Sequence, residues 1–229
     1  PGEGLRAMDG AVDSLAQRAR AGALARLGIM GGTFDPPHLG HLACAEEALE
    51  AANLDAVLFV PTGRPAFKQD RLVTAGEVRL AMVAAAVAGN PAFAVSALEV
   101  ERPGVTYAVD TLRELREELS GVELVFIVGA DAALTLPRWH EGDALARLAT
   151  FAAATRPGFE VGEQALRDLR EHGFDVRPFV VPALDISSSA LRRRVAEGRT
   201  VRYLVPEAVR KIIEEEQLYR RETDGGRVA

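Results

Sequence analysis

Six short apolar runs decide what this chain can fold into: 27–30, 56–60, 93–95, 124–128, 151–154 and 176–181. None alternates apolar with polar residues, as a strand with one wet face would, so each is expected to be covered on both faces. Between most of them lie segments of helical periodicity at 41–52, 75–88, 110–119 and 163–172, with two more at 188–197 and 207–216. Thr74-x-x-Glu77 is a capping-box signature expected to open the second of these helices. Strand–helix alternation predicts an α/β fold with a doubly wound, mostly parallel sheet. Such sheets bind ligands beyond the carboxyl ends of their strands, so the chemistry belongs in the loops that follow strands.

Composition narrows the function classes. Twenty-seven Lys and Arg against 33 Asp and Glu give a net charge of −6, which disfavours a basic nucleic-acid binder. No apolar run approaches the roughly 20 residues that span a bilayer, so no membrane contact is expected. The single cysteine, Cys44, excludes an intramolecular disulfide and a Cys-rich metal site. Residues 1–23 are rich in Ala, Gly and Arg, lack the apolar core of a secretory signal, and carry few large apolar groups. They read as a flexible leader with Met8 a candidate start, ahead of one domain over 24–220 and a disordered tail at 221–229. The cytoplasm is the expected compartment.

The unusual residues follow the first strand: Gly31-Gly32-Thr33-Phe34-Asp35-Pro36-Pro37-His38-Leu39-Gly40-His41. Two glycines let the backbone approach a ligand, and the N–H groups of the helix start that follows favour an anion. The string is neither a dinucleotide G-x-G-x-x-G nor a P-loop. His38 and His41 stand three apart and share one face of a helix start, and Gly40 leaves room for a bulky group beside them. Two readings of the pair compete. One is a zinc pair or two surface histidines, although no third ligand of zinc spacing accompanies them. The other is a phosphate-handling pair, favoured by the convergence of strand, Gly-Gly turn and helix start.

A second anion site is legible at Ile186-Ser187-Ser188-Ser189-Ala190-Leu191-Arg192. Ser187 or Ser188 caps a helix whose free N–H groups and dipole suit a phosphate, and Arg192, one turn on, folds back toward the same anion. Arg193 and Arg194 point elsewhere and read as solvated. Asp131, after Gly129-Ala130, reads either as a helix cap or as an acceptor for ribose hydroxyls.

His38-Leu39-Gly40-His41, with Thr33 five residues ahead of it, resembles the H-x-G-H signature of the nucleotidyltransferase superfamily, and the whole string is most similar to bacterial nicotinate-nucleotide adenylyltransferases. The resemblance runs over about 27–219. It takes in Glu99 to Leu112, similar to an "E…SYTxDTL" stretch; Gly129-Ala130-Asp131, whose last residue stands eight before Trp139, similar to "GAD…W"; Arg156-Pro157-Gly158; and the serine motif, similar to "ISSTxIR". It implies a Rossmann-like nucleotidyltransferase fold and transfer of AMP from ATP to nicotinate mononucleotide, giving nicotinate adenine dinucleotide and pyrophosphate in NAD biosynthesis. It implies that His38 and His41 serve catalysis at the ATP phosphates. Gly31, Gly32, Thr33, Phe34, Gly129, Asp131, Ile186, Ser187, Ser188 and Arg192 would bind ATP. Lys68, Thr106, Tyr107, Trp139 and Arg156 would meet the mononucleotide, with Trp139 stacked on the pyridine ring. Phe67 departs from the family, which has an imidazole there. Asp110 reads as a cap, and His140, His172 and Cys44 receive no role. Mg²⁺ is expected with ATP, carried on substrate phosphates with no protein cage. Rival readings are a phosphopantetheine adenylyltransferase or cytidylyltransferase, a nucleotide sensor without turnover, and a nucleic-acid module.

Overall fold

The structure is a computed structural model describing residues 2–65, 73–156, 158 and 160–220. The first half comprises α1 (Gly2–Arg20), β1 (Arg26–Gly32), α2 (Leu39–Ala51), β2 (Ala56–Pro61), β3 (Arg64–Pro65), α3 (Gly76–Val87), β4 (Phe93–Val95), α4 (Leu98–Glu101), β5 (Val105–Thr106) and α5 (Ala108–Glu118). The second comprises β6 (Glu123–Gly129), α6 (Ala130–Ala133), a 3-10 turn at Leu136–Arg138, α7 (Gly142–Leu148), β7 (Thr150–Thr155), α8 (Glu163–Glu171), β8 (Val176–Val180), α9 (Ser188–Ala196) and α10 (Glu207–Glu215). Six strands form one sheet in the order β4-β2-β1-β6-β7-β8, every pair parallel. β3 and β5 make a separate parallel ribbon. Counting within the large sheet alone, this is the 3-2-1-4-5-6 order of the doubly wound class, and it reverses between β1 and β6.

The unbroken apolar runs follow from burial on both faces. Leu27, Ile29, Leu58, Val60, Leu124 and Phe126 point to one side, into a core shared with α5. Their neighbours Met30, Val57, Phe59, Val125 and Ile127 point to the other, against α2 and α3. β8 departs from this: only Val176 and Phe179 are buried, while Arg177, Pro178 and Val180 face out. It is an edge strand, where a proline without an N–H is tolerated. A third cluster joins Leu191 of α9, Val209 and Ile213 of α10 and Met82 of α3 into a C-terminal layer.

Three local expectations are corrected. Residues 2–20 form a helix, and Val12, Leu15 and Ala16 lie in the core with Leu27, Leu58 and Leu124. The leader reading undercounted burial: Val12, Leu15 and Ala16, three and four apart, fall on one helix face and meet an apolar surface. Arg18 donates to the Asp55 carbonyl at 3.2 Å, and the Asp55 carboxylate accepts the N–H groups of Ala25 and Arg26 at 2.7 and 2.9 Å. α3 starts behind Ala75 with no side-chain cap, and Thr74 instead gives its carbonyl to Arg79 Nε at 2.8 Å. Asp110 is not the cap of α5, which Tyr107 opens; it sits inside the first turn and pairs with Arg113 at 3.3 Å. Lys68, Phe67 and 221–229 lie outside the described residues. Among the described residues, no helix is long and apolar enough to cross a membrane.

Candidate active site

At the point where strand order reverses, the carboxyl ends of β1 and β6 open into a cleft of about 760 Å³, a usual size for a small-ligand site. Its walls gather Gly31 to Phe34, His38 and His41 from the first loop, Thr106 and Tyr107 from the α5 entrance, Gly129, Asp131 and Trp139 after β6, Arg156 after β7, and Ile186 to Ser188 before α9. Residues separated by up to 157 positions thus share one space. Arg192 does not line it, while Gly40 does, as do Cys44, Glu99 and His140, to which no role was given.

The histidines are held tightly. His38 caps α2 in extended backbone (φ −147°, ψ 169°), and its ring stacks on His41 with centroids 3.7 Å apart. The edge of Phe34 meets His41 at 5.0 Å, and the Phe34 ring packs over Gly32, where any Cβ would lie 3.0–3.2 Å from it. A Cβ at Gly40 would lie 3.0 Å from His38 Nδ1. The bulky group for which Gly40 leaves room is therefore the imidazole two residues earlier.

Protonation follows from these contacts. The His38 backbone N–H donates to His41 Nδ1 at 3.1 Å. A ring nitrogen that accepts bears no proton, so neutral His41 carries its proton on Nε2 and can only donate from there. Burial first, and neighbouring His38 second, hold His41 well below the ordinary imidazole range. Burial, aided by the Arg156 charge, lowers His38 to about 4. Both rings are therefore neutral at pH 7.

The loop is fastened from below by groups the sequence did not single out. Arg79, 1% exposed, donates to the carbonyls of Thr33 (2.8 Å), Gly63 (3.1 Å) and Thr74 (2.8 Å). Asp35 is buried, accepts the Tyr219 hydroxyl at 2.7 Å, and has Arg192 Nη1 at 3.8 Å. Arg192 also donates to the Asp35 carbonyl, and to Ser189 Oγ at 2.9 Å. The Arg192 guanidinium, expected to fold toward the anion, turns in this structure to the first loop. Ser187 is the cap of α9, accepting the Ala190 N–H at 3.2 Å, and Ser188 spends its hydroxyl on the Pro36 carbonyl at 2.9 Å. The Ala190 N–H is thereby taken, and the N–H groups of Ser188 and Ser189 have no carbonyl one turn back within α9.

On the opposite wall Trp139 is half-buried, edge-on to Phe126 at 6.2 Å, with Nε1 donating to Thr135 Oγ1 at 3.0 Å. One face of Tyr107 stacks on His140 at 4.0 Å. Glu99 is buried beside Thr106 and accepts the Thr111 hydroxyl at 2.8 Å; burial raises its carboxyl above the usual range. Cys44 is pushed up to about 11 by burial, which keeps it a thiol rather than a nucleophile. Among the described residues, no three His, Cys, Asp or Glu converge as metal ligands.

A switch-point cleft with paired neutral imidazoles at one helix start and a serine-capped helix start beside it fits the nucleotidyltransferase class. The cytidylyltransferase-like family model matches residues 29–194. Curated relatives named nicotinate-nucleotide adenylyltransferase include those of Thermomicrobium roseum, 48% identical with 86% of this chain and 92% of that one covered, and Corynebacterium kroppenstedtii, 47% identical with 85% and 90% covered. The chain belongs to the nicotinate-nucleotide adenylyltransferase family. Among solved structures, a Plasmodium falciparum nicotinic acid mononucleotide adenylyltransferase complexed with APC matches with TM-score 0.69 at 19% identity, covering 85% of this chain and 97% of that one. That likeness is one of fold.

Proposed function

We propose that this chain joins the AMP moiety of ATP to nicotinate mononucleotide, releasing pyrophosphate. The observation that carries the chemistry is the fixed His41 tautomer: a neutral ring whose Nδ1 is occupied by backbone and whose Nε2–H is aimed by packing. A phosphate oxygen of the mononucleotide attacks the α-phosphorus of ATP, forming one P–O bond while the bond to the β-phosphate oxygen breaks. No base is needed, because that phosphate is already ionised. Catalysis then consists of alignment and of hydrogen bonds to charge that builds on the α-phosphate and the departing pyrophosphate. His41 donates from Nε2, His38 lies against it, and the N–H groups opening α9 hold the outer phosphates. Thr106, Tyr107 and Trp139 receive the pyridine end.

Magnesium enters this reading only as a companion of ATP. Its oxygen ligands are expected chiefly from the triphosphate and water, and none of the steps above is routed through it. An enzyme on these substrates works in the cytoplasm, where ATP is abundant. The test is incubation with ATP, Mg²⁺ and nicotinate mononucleotide, following pyrophosphate and the dinucleotide. Absence of both products, with the fold intact by circular dichroism, sinks the proposal.

A further inference from the structure

We propose that Tyr219 is a positioning residue for adenylyl transfer, acting through Asp35 on the loop that carries the histidines. The inference rests on the activity proposed above and adds a residue from the far end of the chain, 184 positions from its partner.

Between β1 and α2 the loop has no ladder of its own, and Phe34 takes a left-handed backbone (φ 47°) that only its surroundings can hold. The fastenings come from C-terminal segments. Ser188 reaches the Pro36 carbonyl, Arg192 reaches the Asp35 carbonyl, and the Leu204 carbonyl accepts the Leu39 N–H at 3.1 Å. Tyr219 supplies the contact to the loop's one buried carboxylate. Three groups face Asp35: the Tyr219 hydroxyl, the Arg192 guanidinium, and the charge of Arg79. A buried carboxylate stripped of a donor is costly, so the hydroxyl holds Asp35 in place as much as Asp35 holds it.

The chain past α10 is shaped to deliver this hydroxyl. Gln217 and Tyr219 both adopt left-handed backbone, φ 50° and 61°, turning the ring inward against the C-terminal layer. Burial and the adjacent Asp35 raise the phenol's pKa, keeping it protonated and a donor. His38 follows Asp35 by three residues, so a shift of the carboxylate is a shift of the cap of α2. A displacement of about 1 Å at a reacting group is enough to cost a hundredfold in rate.

Tyr219→Phe keeps the ring in its apolar seat and removes only the O–H. It is expected to lower kcat about tenfold while KM for ATP changes less than threefold. Ile213→Val, buried in the same layer without touching Asp35, is the comparison: it should lower Tm and leave kcat alone. Asp35→Asn retains an acceptor for Tyr219, and its effect should combine less than multiplicatively with Tyr219→Phe. Hydrogen exchange gives a readout that needs no turnover: amides 33–41 should exchange faster in Tyr219→Phe than in Ile213→Val. If wild-type protein lacks activity, the functional reading fails and the exchange experiment still decides the clamp. Wild-type kcat in Tyr219→Phe, or equal loop exchange in the two variants, overturns the proposal.

Discussion

Helices α2 and α9 both begin at the floor of the cleft, and their first turns are equipped differently. α2 opens with two imidazoles, pressed together and desolvated until both are neutral. α9 opens with serines whose hydroxyls are already engaged: Ser187 on its own helix, Ser188 on Pro36, Ser189 on Arg192. In the function proposed above, the first presents side chains to the phosphates and the second presents backbone. The difference shows how a chain can build a reactive end and a holding end from one motif, a helix N-terminus. It also shows that they are not independent, since α9 spends its side chains fastening the loop in front of α2.

The largest effect should come from the reactive end. His41→Ala removes the one ring whose tautomer is fixed, and kcat should fall by about 10²–10³, the scale of a lost oxyanion-type donor. Steady-state rates near wild type would break the contrast between the two helix starts. Next comes Arg192→Ala. Were α9 only a holding site, KM for ATP alone would rise. Because Arg192 grips Asp35, kcat should fall as well, with kcat/KM lower by about 10–100-fold. Arg193→Ala, on the exposed side of α9, should stay within about twofold; parity between the two would mean a diffuse electrostatic field.

A pH experiment sharpens the comparison further. The unfolded imidazole titrates near 6.5 and folded His38 near 4, so between those values the unfolded chain binds more protons and stability rises with pH. The contribution is complete above about pH 6.5 and is lost as pH falls toward 4, amounting to about 3 kcal/mol. Urea unfolding at stepped pH should show that loss in wild type and a shallower slope in His38→Gln. The smallest effect on turnover belongs to Leu15→Ala in α1. The lost packing costs about 2–5 kcal/mol and lowers Tm, while kcat at 25 °C stays unchanged.

All six strands fall within two residues of the expected ends, the inner ones because burial on both faces writes itself as unbroken apolar runs, and β8 despite its exposed Arg177 and Pro178. Strand order was not legible, because nothing in β1 says that β6 rather than β4 lies beside it. The short helices α4, α6 and α7 escaped because four to seven residues give too few turns for a period. At the site, the histidines stood out through their Gly-Gly and Gly40 context. Arg79, Asp35 and Tyr219 did not, since a buried arginine within an apolar helix and a tyrosine near the end of the chain look ordinary until the partner is known. α1 was misread because its few apolar residues looked too sparse to bury, although the helix brings Val12, Leu15 and Ala16 to one face.

Arg79 limits which residues can be exchanged around the first loop. One planar guanidinium bonds carbonyls of the first loop, of the segment between β2 and β3, and of the approach to α3. Its fork satisfies three acceptors in fixed directions, whereas an ammonium would have to crowd them around a point. Lysine at this position would conserve charge and break the geometry. Three loops that are distant in sequence therefore share a single tether, and they must vary in concert or keep that arginine.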